Sequence, residues 1–89
     1  MIVGVKKREP ILMQMEILAS LFASPKLITR LAQSCNINLA RMTALTGPML
    51  AKGLIRTQIQ EGQEVHAITD EGYKLYMDWL EIWRRMSLE

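Results

Sequence analysis

Eighty-nine residues with 49% hydrophobic and 22% charged content fit one folded domain, too apolar to stay disordered and too small to bury a large core unaided. No apolar run is long enough to span a bilayer, the bases of "MIVGVKKREP" follow its apolar residues with no cleavage site after them, and the single Cys35 excludes an internal disulfide. The expectation is an intracellular, cytoplasmic chain with no membrane partner. The net charge of +2 hides a segregation: residues 17–60 hold no acid and the five bases Lys26, Arg30, Arg41, Lys52 and Arg56, while residues 61–89 hold seven acids against three bases. That pattern suits a face built for a polyanion, and equally suits plain solvated charge.

Residues 1–9, with Lys6, Lys7 and Arg8, read as a flexible basic arm. Pro10 then opens a helix, since its missing N–H is an orphan in the first turn anyway. Ile11, Met15, Leu18 and Phe22 follow at helical spacing, widened by Leu12 and Leu21, until Ser24-Pro25 ends the element. Leu27, Ile28, Leu31 and Ala32 mark a short second helix that closes near Cys35. After the turn "NIN", Asn38 is the N-cap of a third helix with Leu39, Met42, Leu45 and Met49 as its buried stripe and Gly53 as its stop. Pro48 lies inside that helix and removes its bond to Ala44, which predicts a bend there or a tuned groove fit. "LIRTQIQ" and "VHAI" around "EGQE" predict a β-hairpin, with Ile55, Thr57 and Ile59 on one side. Thr69 caps a last helix of about residues 69–87, with Asp70 and Glu71 at its start and Arg84 and Arg85 near its end, as its dipole prefers.

The order helix, helix, turn, helix, hairpin, helix is mainly α with a small β-hairpin, and its second and third helices have helix-turn-helix spacing. Through "LITRLAQSCNINLARM", "LAKGLI" and "ITDEGYKLYMDWLEIW", most of residues 11–85 resembles the winged helix-turn-helix superfamily, more narrowly the small archaeal winged-helix DNA-binding proteins. These include chromatin-associated proteins and short transcription regulators. The resemblance implies a cytoplasmic, nucleoid-associated homodimer on double-stranded DNA. The third helix would lie in the major groove, the hairpin would be the wing, and the last helix would pair with its twin.

The residues support part of this independently. Arg41 and Thr43 stand off the apolar stripe of the third helix, among the small Ala40, Ala44 and Gly47, as groove candidates. Lys26, Arg30, Lys52 and Arg56 are candidate phosphate contacts; Asn36 and Asn38 are either phosphate donors or turn and cap residues. The wing departs from the pattern, because Glu61 and Glu64 repel phosphates. That leaves open a second reading, a winged-helix protein-interaction module using the acidic hairpin and the aromatic last helix.

Two apolar stripes share the last helix: Tyr73, Met77 and Leu80 for the core, and Tyr76, Trp79, Trp83 and Met86 for a dimer interface. His66 has no metal-ligand partner at useful spacing and is expected exposed on its strand. Cys35 is a small core residue or, alternatively, a redox-sensing thiol. No phosphate loop, metal cluster or nucleophile–base pair is present, so neither catalysis nor a cofactor is expected. A third and weaker reading is a small-molecule sensor with a cavity at the dimer interface, to which no clustered polar groups point.

Overall fold

The computed structural model of the chain describes residues 9 to 86. The proposed basic cluster Lys6, Lys7 and Arg8 lies outside the described residues. The order is α1 (Pro10–Ala23), α2 (Ile28–Cys35), α3 (Leu39–Ala51), β1 (Ile55–Gln60), β2 (Gln63–Ile68) and α4 (Asp70–Met86).

Each boundary has a local cause. Pro10 occupies the first turn of α1 behind an extended Glu9, and the helix ends at an extended Ser24, just before Pro25. α2 ends at Asn36, which adopts the left-handed conformation (φ 57°) that Asn tolerates better than most residues. Asn38 caps α3, its Oδ1 accepting the Arg41 N–H at 2.8 Å. After α3 the Leu54 N–H bonds back to the Met49 carbonyl at 2.9 Å, across Gly53. The strands pair antiparallel from Ile55↔Ile68 to Gln60↔Gln63. Their two-residue turn, Glu61-Gly62, has positive φ at both positions (53° and 78°), the geometry that matches strand twist in a tight hairpin.

Thr69 joins two parts of the fold. Its Oγ1 accepts the Gly72 N–H at 3.0 Å, capping α4, and donates to the Gly53 carbonyl at 2.6 Å. Gly72 is buried because α4 starts directly against the α3–β1 junction; a Cβ there would overlap the Leu54 carbonyl oxygen. The glycine of "ITDEGYKLY" is therefore required by a close backbone approach.

Ile17, Leu18 and Leu21 of α1, Leu31 of α2, Met42 and Met49 of α3 and Ile55 of β1 are almost completely buried. This core corrects the expected stripes. Met13 and Ile17 are buried on α1, whereas Ile11, Leu12 and Phe22 are exposed, and Leu39 on α3 is 47% exposed. α1 is apolar on most of its circumference, so periodicity alone permits several stripes; packing against α2, α3 and α4 selects one. Thr46, off the expected stripe of α3, is buried with its hydroxyl donating to the Thr43 carbonyl at 3.3 Å. α3 runs through Pro48 as one element, and the Gln14 side chain of α1 donates to the Leu45 carbonyl at 3.1 Å, one residue from the carbonyl that lost its donor.

The hairpin is not alone. Lys26, in the link between α1 and α2, bridges to His66 by two backbone bonds of 2.8 and 3.0 Å. The bridge pairs the edge of β2 that faces away from β1, and Val65, His66 and Ala67 are all buried. The expected exposed His66 is thus corrected to a residue only 8% exposed, whose Nδ1 is buried without a hydrogen-bond partner. Burial pushes its pKa below the ordinary imidazole value, while Glu64 works weakly the other way.

Candidate nucleic-acid interface

The turn between α2 and α3 is fixed from within. Ile37 is buried and anchors it, while its neighbours Asn36 and Asn38 remain exposed. Around them lies an open depression of about 450 Å³, lined on the α2 side by Thr29 and Gln33 and on the α3 side by Asn38 and Leu39. Thr29 and Gln33 were not among the sequence candidates. Their spacing with Asn36, at i, i+4 and i+7, was the available signal, since it places all three on one helical face.

From this depression α3 presents an exposed face of Ala40, Arg41, Thr43, Ala44 and Gly47. The Asn38 side-chain oxygen is engaged in the cap, which leaves its amide N–H groups as donors. The Thr43 hydroxyl donates to the Leu39 carbonyl at 3.0 Å, which leaves its oxygen lone pairs to accept. Arg30 on α2 is exposed, as are Arg41, Lys52 and Arg56, and none of the four forms an ion pair among the described residues. The small Ala40, Ala44 and Gly47 let another backbone approach the helix closely.

The structure does not gather all eight candidates. Asn36, Asn38, Arg41 and Thr43 share the amino end of α3, with Arg30 on the preceding helix. Lys52 caps the other end of α3, about 20 Å along the axis from Asn38 at the rise of an α-helix. Arg56 stands at the base of β1, its Nε donating to the Gln58 Oε1 at 3.2 Å. Lys26 is engaged elsewhere. Its ammonium folds onto the end of α1, donating to the Ser20 carbonyl at 2.6 Å and to the Ser24 carbonyl and hydroxyl at 3.3 Å. A cation there suits the negative end of the helix dipole, and Lys26 is the one candidate base whose ammonium is held by its own chain.

The hairpin tip carries Glu61 and Glu64, and beside them Ile59 is 72% exposed. On α4, the two predicted stripes exchange part of their content. Tyr76 and Trp79 pack partly against the chain's own core, whereas Tyr73 and Met77, expected inside, are exposed. Phe22 of α1 touches a residue of each stripe, stacking on Tyr73 at 5.5 Å and meeting Tyr76 at 5.3 Å. Trp83, stacked on Trp79 at 5.3 Å, is 58% exposed, and Ile82 and Met86 continue the apolar surface. No helix among the described residues is long and apolar enough to cross a membrane.

No protein-family model and no curated protein matches the sequence. Solved structures do match. The transcriptional regulator BldR from Sulfolobus solfataricus superposes with a TM-score of 0.77 at 22% identity, over 84% of this chain and 56% of its own. The homodimeric winged helix-turn-helix DNA-binding domain of Mb0332 from Mycobacterium bovis, a possible ArsR-family transcriptional regulator, gives 0.73 at 15% identity, over 83% and 69%. Sso10a-2, a DNA-binding protein from Sulfolobus solfataricus, gives 0.68 at 16% identity, over 89% and 85%. The chain spans little more than half the length of BldR.

Proposed function

The chain has the winged helix-turn-helix fold, and we propose that it is a double-stranded DNA-binding protein, a transcriptional regulator or chromatin-associated factor, acting as a cytoplasmic homodimer. One observation carries this reading: the exposed face of α2 and α3 presents Arg30, Arg41 and the Asn36–Asn38 turn without a single acid in residues 17–60. Such a face meets a phosphate backbone without repulsion, and the amino end of α3 adds its positive dipole. Arg41 and Thr43 are the groove residues of this proposal. Arg30 contacts phosphates near them, and Lys52 and Arg56 reach phosphates farther along. The reading involves no catalysis, and the neighbours above are regulators or DNA-binding proteins.

Homodimerisation rests on the uncovered apolar surface of Ile82, Trp83 and Met86, which a two-fold partner helix would bury. Tyr76 and Trp79 contribute their exposed edges to the same interface.

The test is fluorescence anisotropy of a labelled random-sequence duplex titrated at several salt concentrations. Affinity is expected to fall steeply with salt. Replacing Arg30 and Arg41 together by Ala should weaken binding and reduce the magnitude of the salt slope by about 2. Unchanged affinity in that double variant would sink the reading. The exposed Ile59 beside Glu61 and Glu64 favours the second reading, a protein-binding wing; no duplex binding at low salt would turn the assignment to it.

A further inference from the structure

A second, more recessed cavity of about 300 Å³ lies between α1, the carboxyl end of α3 and α4. Its walls are mostly apolar, with Ile11, Met15 and Leu18 on one side, Pro48 and Met49 on another, and Leu75 closing it from α4. Only two polar side chains border it. Gln14 is held by its bond to the Leu45 carbonyl, and Lys52 has no ion pair among the described residues. No acid lines the cavity. Its volume is at the lower bound for small-molecule sites, which are typically ~300–1,000 Å³, and apolar walls bordered by a few polar groups are the usual composition of such sites.

We propose that this cavity binds a small amphipathic anion, whose apolar body fills the space between Leu18, Met49 and Leu75 and whose acidic head pairs with Lys52. The chemistry follows from the lining. An uncharged apolar molecule would leave the ammonium unused, and a cation would meet it with repulsion. The negative end of the α3 dipole lies next to Lys52 and opposes the anion, so burial of the apolar body has to supply much of the affinity. The proposed dimer surface comes near the cavity through Tyr76 and Trp79, one and four residues beyond Leu75, while its Trp83 end lies about 12 Å farther along α4 at helical rise.

The site also touches the reading of α3 as the groove helix, and this part of the inference rests on that reading. Pro48 forms part of the wall and interrupts the bonding of α3, and Gly47 beside it has open space around its Cα. A ligand pressing on Pro48 and Met49 acts on the helix beside the one backbone bond that Pro48 removes. Occupancy then alters how Arg41 and Thr43 are presented.

The experiment is a titration of the full chain, ¹⁵N-labelled and without DNA, with sodium octanoate and separately with octanol, followed by amide shifts. Octanoate should produce saturable shifts centred on Met15, Met49 and Leu75, and bind about tenfold tighter than octanol through the charged pair. Lys52→Gln should remove that preference while leaving octanol binding unchanged. Ile11→Trp, at an exposed position on the cavity rim, should block both. Equal binding of the two probes in the unsubstituted chain, shifts centred on Trp83 instead, or no saturable shift would each overturn the proposal. Because no DNA is present, failure here leaves the nucleic-acid reading standing, and failure of the salt titration leaves the cavity standing.

Discussion

α2 with α3, and α4, are built from similar proportions of apolar residues but finished to different degrees. In the first region most large apolar side chains turn inward: Leu31, Ile37, Met42, Leu45 and Met49 are buried, and apart from Leu39 and Leu50 the exposed face is polar or small. In α4 the only buried residue is Gly72, while Tyr73, Leu75, Met77, Ile82, Trp83 and Met86 all keep more than a third of their surface in solvent. The first region is complete as a folded unit and offers its polar face to a partner. The second has more apolar surface than its own chain can cover. On one small domain, the proposed DNA face and the proposed dimer surface thereby fall on different helices.

Substitutions should separate the two regions. Leu31→Ala, deep in the finished half, should cost about 2–5 kcal/mol in urea unfolding, enough to threaten a domain whose total stability is ~5–15 kcal/mol. A loss below about 1 kcal/mol would show that α2 is less tightly packed than its burial indicates. Gly72→Ala strikes the boundary between the regions, where the new methyl meets backbone that cannot move aside cheaply; about 1–3 kcal/mol should be lost. Full stability in that variant would mean that α4 is not seated on the α3–β1 junction.

Acid should loosen a different contact, the bridge between β2 and the α1–α2 link. His66 is buried neutral in the bridge to Lys26, with its folded pKa lowered by desolvation. Above the ordinary value of about 6.5 both folded and unfolded chains are neutral there, so its contribution is intact. As pH falls below that value the unfolded chain takes up a proton that the folded chain resists, and stability declines down to the lowered folded pKa. Melting temperatures from pH 8 to pH 5 should therefore fall, and His66→Gln should flatten the decline. An unchanged slope would assign the acid sensitivity to other groups.

The smallest folding effect is expected at the unfinished end of α4. Trp83→Ser should change the stability of the monomer by no more than about 0.5 kcal/mol, since the side chain is largely in solvent. Under the proposed dimer the same substitution should shift sedimentation from dimer to monomer. A chain that is monomeric before substitution would remove α4 as an oligomer surface.

The local grammar of this chain was legible in its residues alone. Pro10, Asn38, Gly53 and Thr69 mark their boundaries through backbone chemistry that involves mostly neighbouring residues, and the hairpin turns within "EGQE", though β2 starts at Gln63, two residues before the expected "VHAI". The polar outer face of α3 was equally legible, because Met42, Leu45 and Met49 define the inner one. What two distant segments do to each other was settled only by packing. It chose Met13 and Ile17 over Ile11 and Phe22, because α1 is apolar nearly all round and its neighbours select the buried side. It paired His66 with Lys26, far away in sequence, and drew the Lys26 ammonium onto the end of α1. It set Tyr76 and Trp79 against the core through contacts that helical spacing does not encode. Periodicity shows that a face exists; the packing of the whole chain decides which face is covered.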